Sequence, residues 1–168
     1  MYSHILNQLK ANGQLFKGLF AKVTEEEYLW RQQPGKWCLL EILCHLYDEE
    51  REDFRARTAH ILKHPDKPLP PINPSGWVTE RDYLNWDFEK TCRNFLMERS
   101  QSVNWLNSLK NPNWEHAYIH KKFGPMTANM LLSNWLAHDY LHIKQILKLK
   151  YDYLKHLSSE NLNYAGGW

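Results

Sequence analysis

The chain has 168 residues, which is enough for one domain with a substantial buried core. Its formal net charge is +2 with the histidines neutral, and the basic residues are scattered, so no nucleic-acid-binding surface is indicated. It has three cysteines but no C-x-x-C pair, no run of 18 apolar residues and no basic stretch followed by an apolar one at its start. We therefore expect a reduced, cytoplasmic protein with no signal peptide and no membrane span.

Four long amphipathic helices are predicted along the chain. Apolar side chains repeat at helical spacing over residues 3–23, 37–62, 79–109 and 126–149. Between the first two, Thr24 and Glu27 have the spacing of a capping box, which predicts a short additional helix before Pro34. Thr127 is placed to cap the fourth long helix.

Two connections complete the predicted fold. Five prolines between residues 65 and 74 exclude a helix there and give a connection long enough to cross a bundle. Residues 114–123 are expected to form a loop or a small irregular strand pair. The fold class is therefore all-α, a four-helix bundle with a long crossover, in a single domain of residues 1–150 followed by a loosely held tail of residues 151–168.

The histidines carry the main functional signal. There are 9 in the chain, and three pairs have i,i+4 spacing, namely His60/His64, His116/His120 and His138/His142. Only the last pair falls within a strong apolar helical pattern, where both imidazoles occupy one helix face. The sequence therefore singles out His138 and His142 as a candidate pair of ligands.

His45, on the second long helix, is the candidate third ligand. It lies between an apolar seam and an acidic flank. Three imidazoles from two helices would leave a coordination position open, as in catalytic metal sites. A hydrogen-bonded core histidine remains the ordinary interpretation of each one taken alone, whereas the three together favour a metal.

Three carboxylates near these histidines are available to accept a ring N–H, a common support for metal-bound imidazole. They are Asp48, Glu49 and Asp139. Asp48 is also the candidate catalytic residue, either orienting His45 or assisting proton transfer. Asp139 follows His138 directly and so points about 100° away from it. We expect Asp139 to face solvent or to cap a neighbouring group.

Three segments resemble those of the DinB-like superfamily of metal-binding four-helix bundles. One is the stretch from Trp37 to Leu46 that ends in His45-Leu46 and is followed by Asp48 and Glu50. The others are Phe123-Gly124-Pro125-Met126-Thr127 and His138-Asp139-x-x-His142-Ile143-x-Gln145-Ile146. The resemblance covers roughly residues 1–150, and no family segment matches residues 151–168.

The resemblance implies that His45, His138 and His142 are the metal ligands and that the metal is zinc or nickel. It also implies a homodimer. Characterised members of that family include S-transferases that use the low-molecular-weight thiols bacillithiol or glutathione, and a mycothiol-dependent maleylpyruvate isomerase. An anionic thiol of this kind would find Arg31, Lys36 and Lys121 as possible contacts.

The leading functional hypothesis is a metal-dependent enzyme acting on a small-molecule substrate. An open metal position would activate either water or a thiol, giving hydrolysis or S-transfer. The sequence does not choose between these two reactions. Two alternatives stay open: a non-catalytic metal-stabilised or metal-sensing bundle, and a bundle without metal whose histidines are hydrogen-bonded.

Overall fold

A computed structural model describes residues 1–167, so the last residue of the predicted tail, Trp168, lies outside the described residues. Most of the described chain is helical, which confirms the all-α prediction. The helices are α1 (Tyr2–Leu19), α2 (Glu25–Leu29), α3 (Leu39–Asp48), α4 (Arg55–Lys63), α5 (Pro74–Glu80), α6 (Phe88–Ser108) and α7 (Ala128–Ser158). The strands are β1 (Ala117–His120) and β2 (Gly124–Thr127).

The bundle consists of α1, the continuous helix from α3 to α4, α6 and α7. Helix α1 packs against α6 and α7, and the α3–α4 helix packs against the same two helices. The first and second long helices therefore occupy opposite corners of the bundle. This order differs from a simple up-down-up-down arrangement, in which consecutive helices are neighbours.

The second long helix is continuous but contains a wide turn. Helix α3 begins after Cys38, whose backbone N–H donates to the Glu41 carboxylate at 2.8 Å. Residues Glu49–Phe54 then form a π-helical segment before α4 begins. Such segments within α-helices are rare and are frequently found at functional sites.

The predicted third helix over residues 79–109 is wrong in its first part. The structure instead has α5, a 3₁₀ turn at Tyr83–Asn85, and then α6. Asp82 adopts a left-handed conformation (φ 49°), which a continuing helix does not permit. Asp87 accepts a hydrogen bond from the Lys90 backbone N–H and so begins α6 as its N-cap.

Helix α7 begins as predicted and ends later than predicted. Thr127 accepts a hydrogen bond from the Met130 backbone N–H at 2.9 Å, which confirms it as the N-cap. The helix continues past Leu149 to Ser158, because Tyr153 is buried and its ring packs against Trp30 at 5.5 Å. Part of the predicted tail is thus helical and packed onto the domain.

The strand pair before α7 is also present as predicted. Strands β1 and β2 are antiparallel, with Ala117 opposite Thr127 and His120 opposite Gly124. His120 lies on β1 and His116 just before it, so the i,i+4 spacing of this pair has no helix on which to act. The turn of this hairpin is made possible by Gly124, whose φ of 70° favours glycine.

The interior has two main apolar clusters. One surrounds Phe16, Phe95 and Tyr83, and the other surrounds Trp135 and Leu106. No helix within residues 1–167 is both long and apolar enough to cross a lipid bilayer.

Candidate metal centre

Three imidazoles from two helices converge in the bundle interior. The Nε2 atom of His138 lies 3.2 Å from Nε2 of His45 and 3.0 Å from Nε2 of His142. One ring nitrogen from each residue can be chosen so that all three lie within 4.8 Å of one another. Nitrogens bound to a tetrahedral zinc ion lie about 3.3 Å apart, given bonds of about 2.0 Å. The set therefore has the spacing of a metal centre, and the structure brings together the three histidines that the sequence singles out.

All three imidazoles are held in the neutral form. Burial, and then the neighbouring histidines, lower the pKa of His45 to about 3 and that of His138 to about 2. Burial also lowers the pKa of His142, although a hydrogen bond to Gln145 opposes this. Neutral imidazole is the form that binds a metal ion, through the lone pair of its unprotonated nitrogen.

The hydrogen-bond partners show why a cation fits this group. His142 donates from Nδ1 to the Gln145 side-chain oxygen at 2.8 Å, which leaves its Nε2 with a lone pair. One proton on His138 Nε2 can be donated to His142 Nε2 or to His45 Nε2, so one of these two lone pairs is left without a donor of its own. A cation shared by the three Nε2 atoms would accept all three lone pairs. His45 Nδ1, on the other side of its ring, is buried with no hydrogen-bond partner among the described residues.

Two aromatic side chains enclose the group. The ring of Trp37, just before α3, lies 4.9 Å from the His45 ring, and the Phe54 ring lies 5.0 Å from the His138 ring. Phe54 also stacks on Trp135 with ring centroids 5.9 Å apart. These contacts limit the orientations of His45 and His138.

Asp48 is not brought to His45. Its carboxylate is fully buried and accepts hydrogen bonds from Tyr83 Oη at 2.7 Å, Arg81 at 2.6 Å and Arg51 at 2.8 Å. Three residues after His45, it points toward the α5 side of the helix. None of these three hydrogen bonds involves His45, so they do not support the expectation that Asp48 orients His45. A role of Asp48 in proton transfer stays a prediction.

Of the two expectations for Asp139, exposure to solvent is wrong, and bonding to neighbouring groups is what the structure has. Asp139 is fully buried and accepts two hydrogen bonds from the guanidinium of Arg99, at 2.6 and 2.7 Å. The same guanidinium donates to Glu50 at 2.9 and 2.8 Å. Helix α7 is buried on more than one side, so a residue 100° from the histidine face still points into the bundle. Gly13 of α1 accommodates this network, because a Cβ there would lie 3.1 Å from Arg99 Cγ.

Glu49 is a buried acid that the sequence suggested only as a general acceptor. It lies on the π-helical segment, is 4% exposed, and its Oε1 has no hydrogen-bond partner among the described residues. Burial, and then the neighbouring Asp53, raise the pKa of Glu49 to about 8. Asp53 in turn pairs with Arg57 at 3.3 Å. The signal in the sequence was its position four residues after His45.

The basic residues suggested for a thiol cofactor are not gathered at the centre. Arg31 pairs with Glu41 at 2.7 Å and donates to the backbone carbonyl of Lys36. The side chains of Lys36 and Lys121 are exposed.

The sequence profile of the DinB superfamily matches residues 8–146, a range that includes all three histidines. The chain belongs to the DinB superfamily. A search of curated proteins gave no match. Among solved structures, this DinB-superfamily chain is similar to YfiT from Bacillus subtilis, described as a probable metal-dependent hydrolase with an unusual four-helix bundle topology. The TM-score is 0.79 at 16% identity, over 89% of this chain and 86% of YfiT, and this likeness shows a shared fold.

Proposed function

We propose that this chain is a metal-dependent enzyme that hydrolyses a small molecule at a centre formed by His45, His138 and His142. The observation that carries the proposal is the meeting of three neutral Nε2 atoms from α3 and α7 at hydrogen-bond distance. Three protein nitrogens are one fewer than a closed structural site requires, and this is the ligand number of catalytic zinc centres.

Neighbouring side chains orient the three imidazoles for metal binding. Gln145 accepts the Nδ1 proton of His142 and so fixes the tautomer in which Nε2 faces the other two rings. Trp37 and Phe54 pack on the rings of His45 and His138, which limits the orientations that these two rings can take. A divalent ion bound here would act as a Lewis acid and lower the pKa of a bound water or thiol.

Zinc or nickel is the proposed metal, since imidazole ligands suit both ions. Hydrolysis is preferred to thiol transfer because Arg31, the most deeply placed basic residue suggested for an anionic thiol, is already engaged by Glu41. A thiolate would bind at the same position as water, so S-transfer is the competing outcome of the test.

The proposal is tested on untagged protein loaded with zinc or nickel. Bound metal is measured by elemental analysis, and activity is screened on esters, amides and electrophiles with and without several thiols. We expect about one metal ion per chain in the wild type and the loss of most of it, with activity, in His142→Ala. The control is His64→Ala, which removes one member of another i,i+4 pair whose side chain is exposed. Equal metal in the wild type and His142→Ala would contradict the proposal, and thiol-dependent turnover alone would replace hydrolysis by S-transfer.

A further inference from the structure

Glu49 lies between two residues of its helix that contact the candidate metal centre. His45, one turn before it, contributes a ligand, and Phe54, one wide turn after it, packs its ring 5.0 Å from the His138 ring. Residues four apart on a helix share a face, with Cβ atoms about 5–6 Å apart. Glu49 is therefore placed on the face of the helix directed at α7, at the level of His138.

The side chain of Glu49 has an oxygen that nothing else uses. Its Oε1 has no hydrogen-bond partner within the described chain, and the residue is 4% exposed. A buried carboxyl oxygen without a partner is costly, and a bound water, an ion, a ligand or a role in proton transfer accounts for such a group. The neighbouring acid Asp53 hydrogen-bonds to Glu49, and Arg57 pairs with Asp53 at 3.3 Å while its charge also favours the ionised form of Glu49.

The charges around Glu49 differ from those around the other buried acids of the same helix. Glu50 is held by Arg99, and Asp48 is held by Arg81 and Arg51. Glu49 has no such cation at hydrogen-bond distance among the described residues, and burial raises its pKa to about 8. Burial thus brings the protonated and ionised forms of Glu49 close in free energy near neutral pH, as a group that accepts and returns a proton requires.

We propose that Glu49 is the proton acceptor and donor of the reaction at the three-histidine centre. This inference rests on the proposed function. A water molecule gives one proton to Glu49 Oε1 as its oxygen forms a bond to the substrate carbonyl carbon. The bond from that carbon to the leaving oxygen or nitrogen then breaks, and the proton on Glu49 passes to the leaving atom. The products are an acid and an alcohol or amine, and Glu49 returns to the carboxylate.

The ion itself sets the state of Glu49 at the start of this cycle. Without metal, Glu49 is mostly protonated at pH 7, because its pKa is raised. A divalent cation beside it favours the carboxylate, so metal binding should release the proton. The three imidazoles release none, since burial already keeps them neutral.

The first test counts protons released on zinc binding at pH 7, by calorimetry in two buffers of different ionisation enthalpy. The variant is Glu49→Gln, which keeps the shape and removes the proton exchange. The matched control is Glu89→Gln, an exposed glutamate in the first turn of α6. We expect wild type and Glu89→Gln to release about one proton more per zinc than Glu49→Gln, with one zinc bound by all three.

Activity gives the second measurement for any substrate found in the screen. Glu49→Gln should lower kcat by about 10²–10⁴-fold with little change in KM, and should abolish the limb of the pH–rate profile that reports the base. Glu49→Asp, which keeps the carboxyl but shortens it, should retain the proton release and part of the rate. It serves as the test variant if Glu49→Gln does not fold.

The proposal is overturned by an equal proton count in wild type and Glu49→Gln. It is also overturned if Glu49→Gln loses zinc as His142→Ala does, because Glu49 would then be a ligand. Since the proton count needs no turnover, it separates a failure of this inference from a failure of the proposed function, which would show as a wild type that binds no metal.

Discussion

Arg99 of α6 donates two hydrogen bonds to Asp139, the residue that directly follows the candidate ligand His138 on α7. The same guanidinium holds Glu50, and Glu50 also accepts a hydrogen bond from the Trp135 indole at 2.9 Å. Arg99 also donates to the Leu9 backbone carbonyl of α1 at 3.1 Å, and Asn12 of α1 donates to Asp139 at 3.0 Å. This buried ionic group therefore joins all four long helices. Neighbouring residues of α7 thus belong to two different polar groups, one that carries the candidate chemistry and one that fixes the helices around it.

Replacing Arg99 by methionine should destabilise the bundle by about 3–5 kcal/mol. The substitution leaves Asp139 and Glu50 buried without their cation, and breaking a buried ion pair on one side carries a cost of this size. Urea unfolding followed by circular dichroism measures the change. Arg93→Met, at an exposed position of the same helix, is the control and should change stability by less than about 0.5 kcal/mol. Equal midpoints for the two variants would show that the ionic group contributes little.

Removing the Gln145 side chain should weaken metal binding without unfolding the protein. Gln145→Ala takes away the acceptor of the His142 Nδ1 proton, so the ring is free to rotate or change tautomer. Losses of about 10–100-fold in metal affinity are typical of such partners. Competition with a chromogenic chelator measures the affinity, and Gln101→Ala, exposed on α6, is the control. Gln145→Glu should restore binding, since it again offers an acceptor; unchanged affinity in Gln145→Ala would contradict the role of Gln145.

The metal-free bundle should be most stable near pH 6.5. The folded pKa values of His45 and His138 are lowered to about 3 and about 2, and that of His142 is also lowered. Below pH 6.5 the unfolded chain therefore binds protons that the folded chain does not, and stability falls by up to about 1.4 kcal/mol per pH unit for each histidine. Urea unfolding in a chelating buffer at pH 5, 6, 7 and 8 measures this.

Glu49 acts in the opposite direction, because its folded pKa is raised to about 8. The folded chain holds its proton above the unfolded value of 4.5, so this residue reduces stability as pH rises from 4.5 to 8. Between pH 4.5 and 6.5 the three histidines raise the stability with pH by more than Glu49 lowers it. Above pH 6.5 the histidines no longer titrate in the unfolded chain, and Glu49 alone lowers the stability. His138→Gln should flatten the acid side and Glu49→Gln the alkaline side. Stability that does not vary between pH 5 and 8 would contradict both assignments.

Removing the metal should leave the fold largely intact. The apolar clusters around Phe16 and Trp135 and the ion pairs of Arg99 hold the bundle without any contribution from an ion. We expect chelator-treated protein to keep its far-ultraviolet circular dichroism and a cooperative thermal transition, while activity disappears and returns with zinc or nickel. Loss of helical signal on chelation would instead support the hypothesis of a non-catalytic, metal-stabilised bundle.

The helices and the ligand set could be predicted from the sequence because both depend on local periodicity. His138 and His142 share a seam with Trp135 and Ile146, and that repeat alone fixes which way the rings point. The start of α7 at Thr127 is equally local, since one side chain caps one backbone N–H. His45 required the further assumption that the second and fourth helices are neighbours, which the family resemblance supported.

The features that were missed depend on contacts between distant segments. The sequence predicts that Asp139 faces solvent or caps a neighbouring group. It does not identify Arg99 as the partner, because Arg99 lies on another helix, 40 residues away in sequence. A clue existed on α6, where Arg99 interrupts an apolar face that contains Phe95 and Val103. The break at Asp82 was missed because a single left-handed residue leaves the surrounding apolar pattern unchanged.

The π-helical segment allows two consecutive acids to be buried in the bundle. It places more residues in one turn than an α-helix does, and Glu49 and Glu50 are both buried there, with Glu50 bound to Arg99. The wide turn takes up one extra residue, so a deletion of one residue would let it relax to ordinary α-helix while α4 keeps its orientation relative to His45. Related chains that lack the extra residue should therefore keep the bundle and bury only one of these two acids.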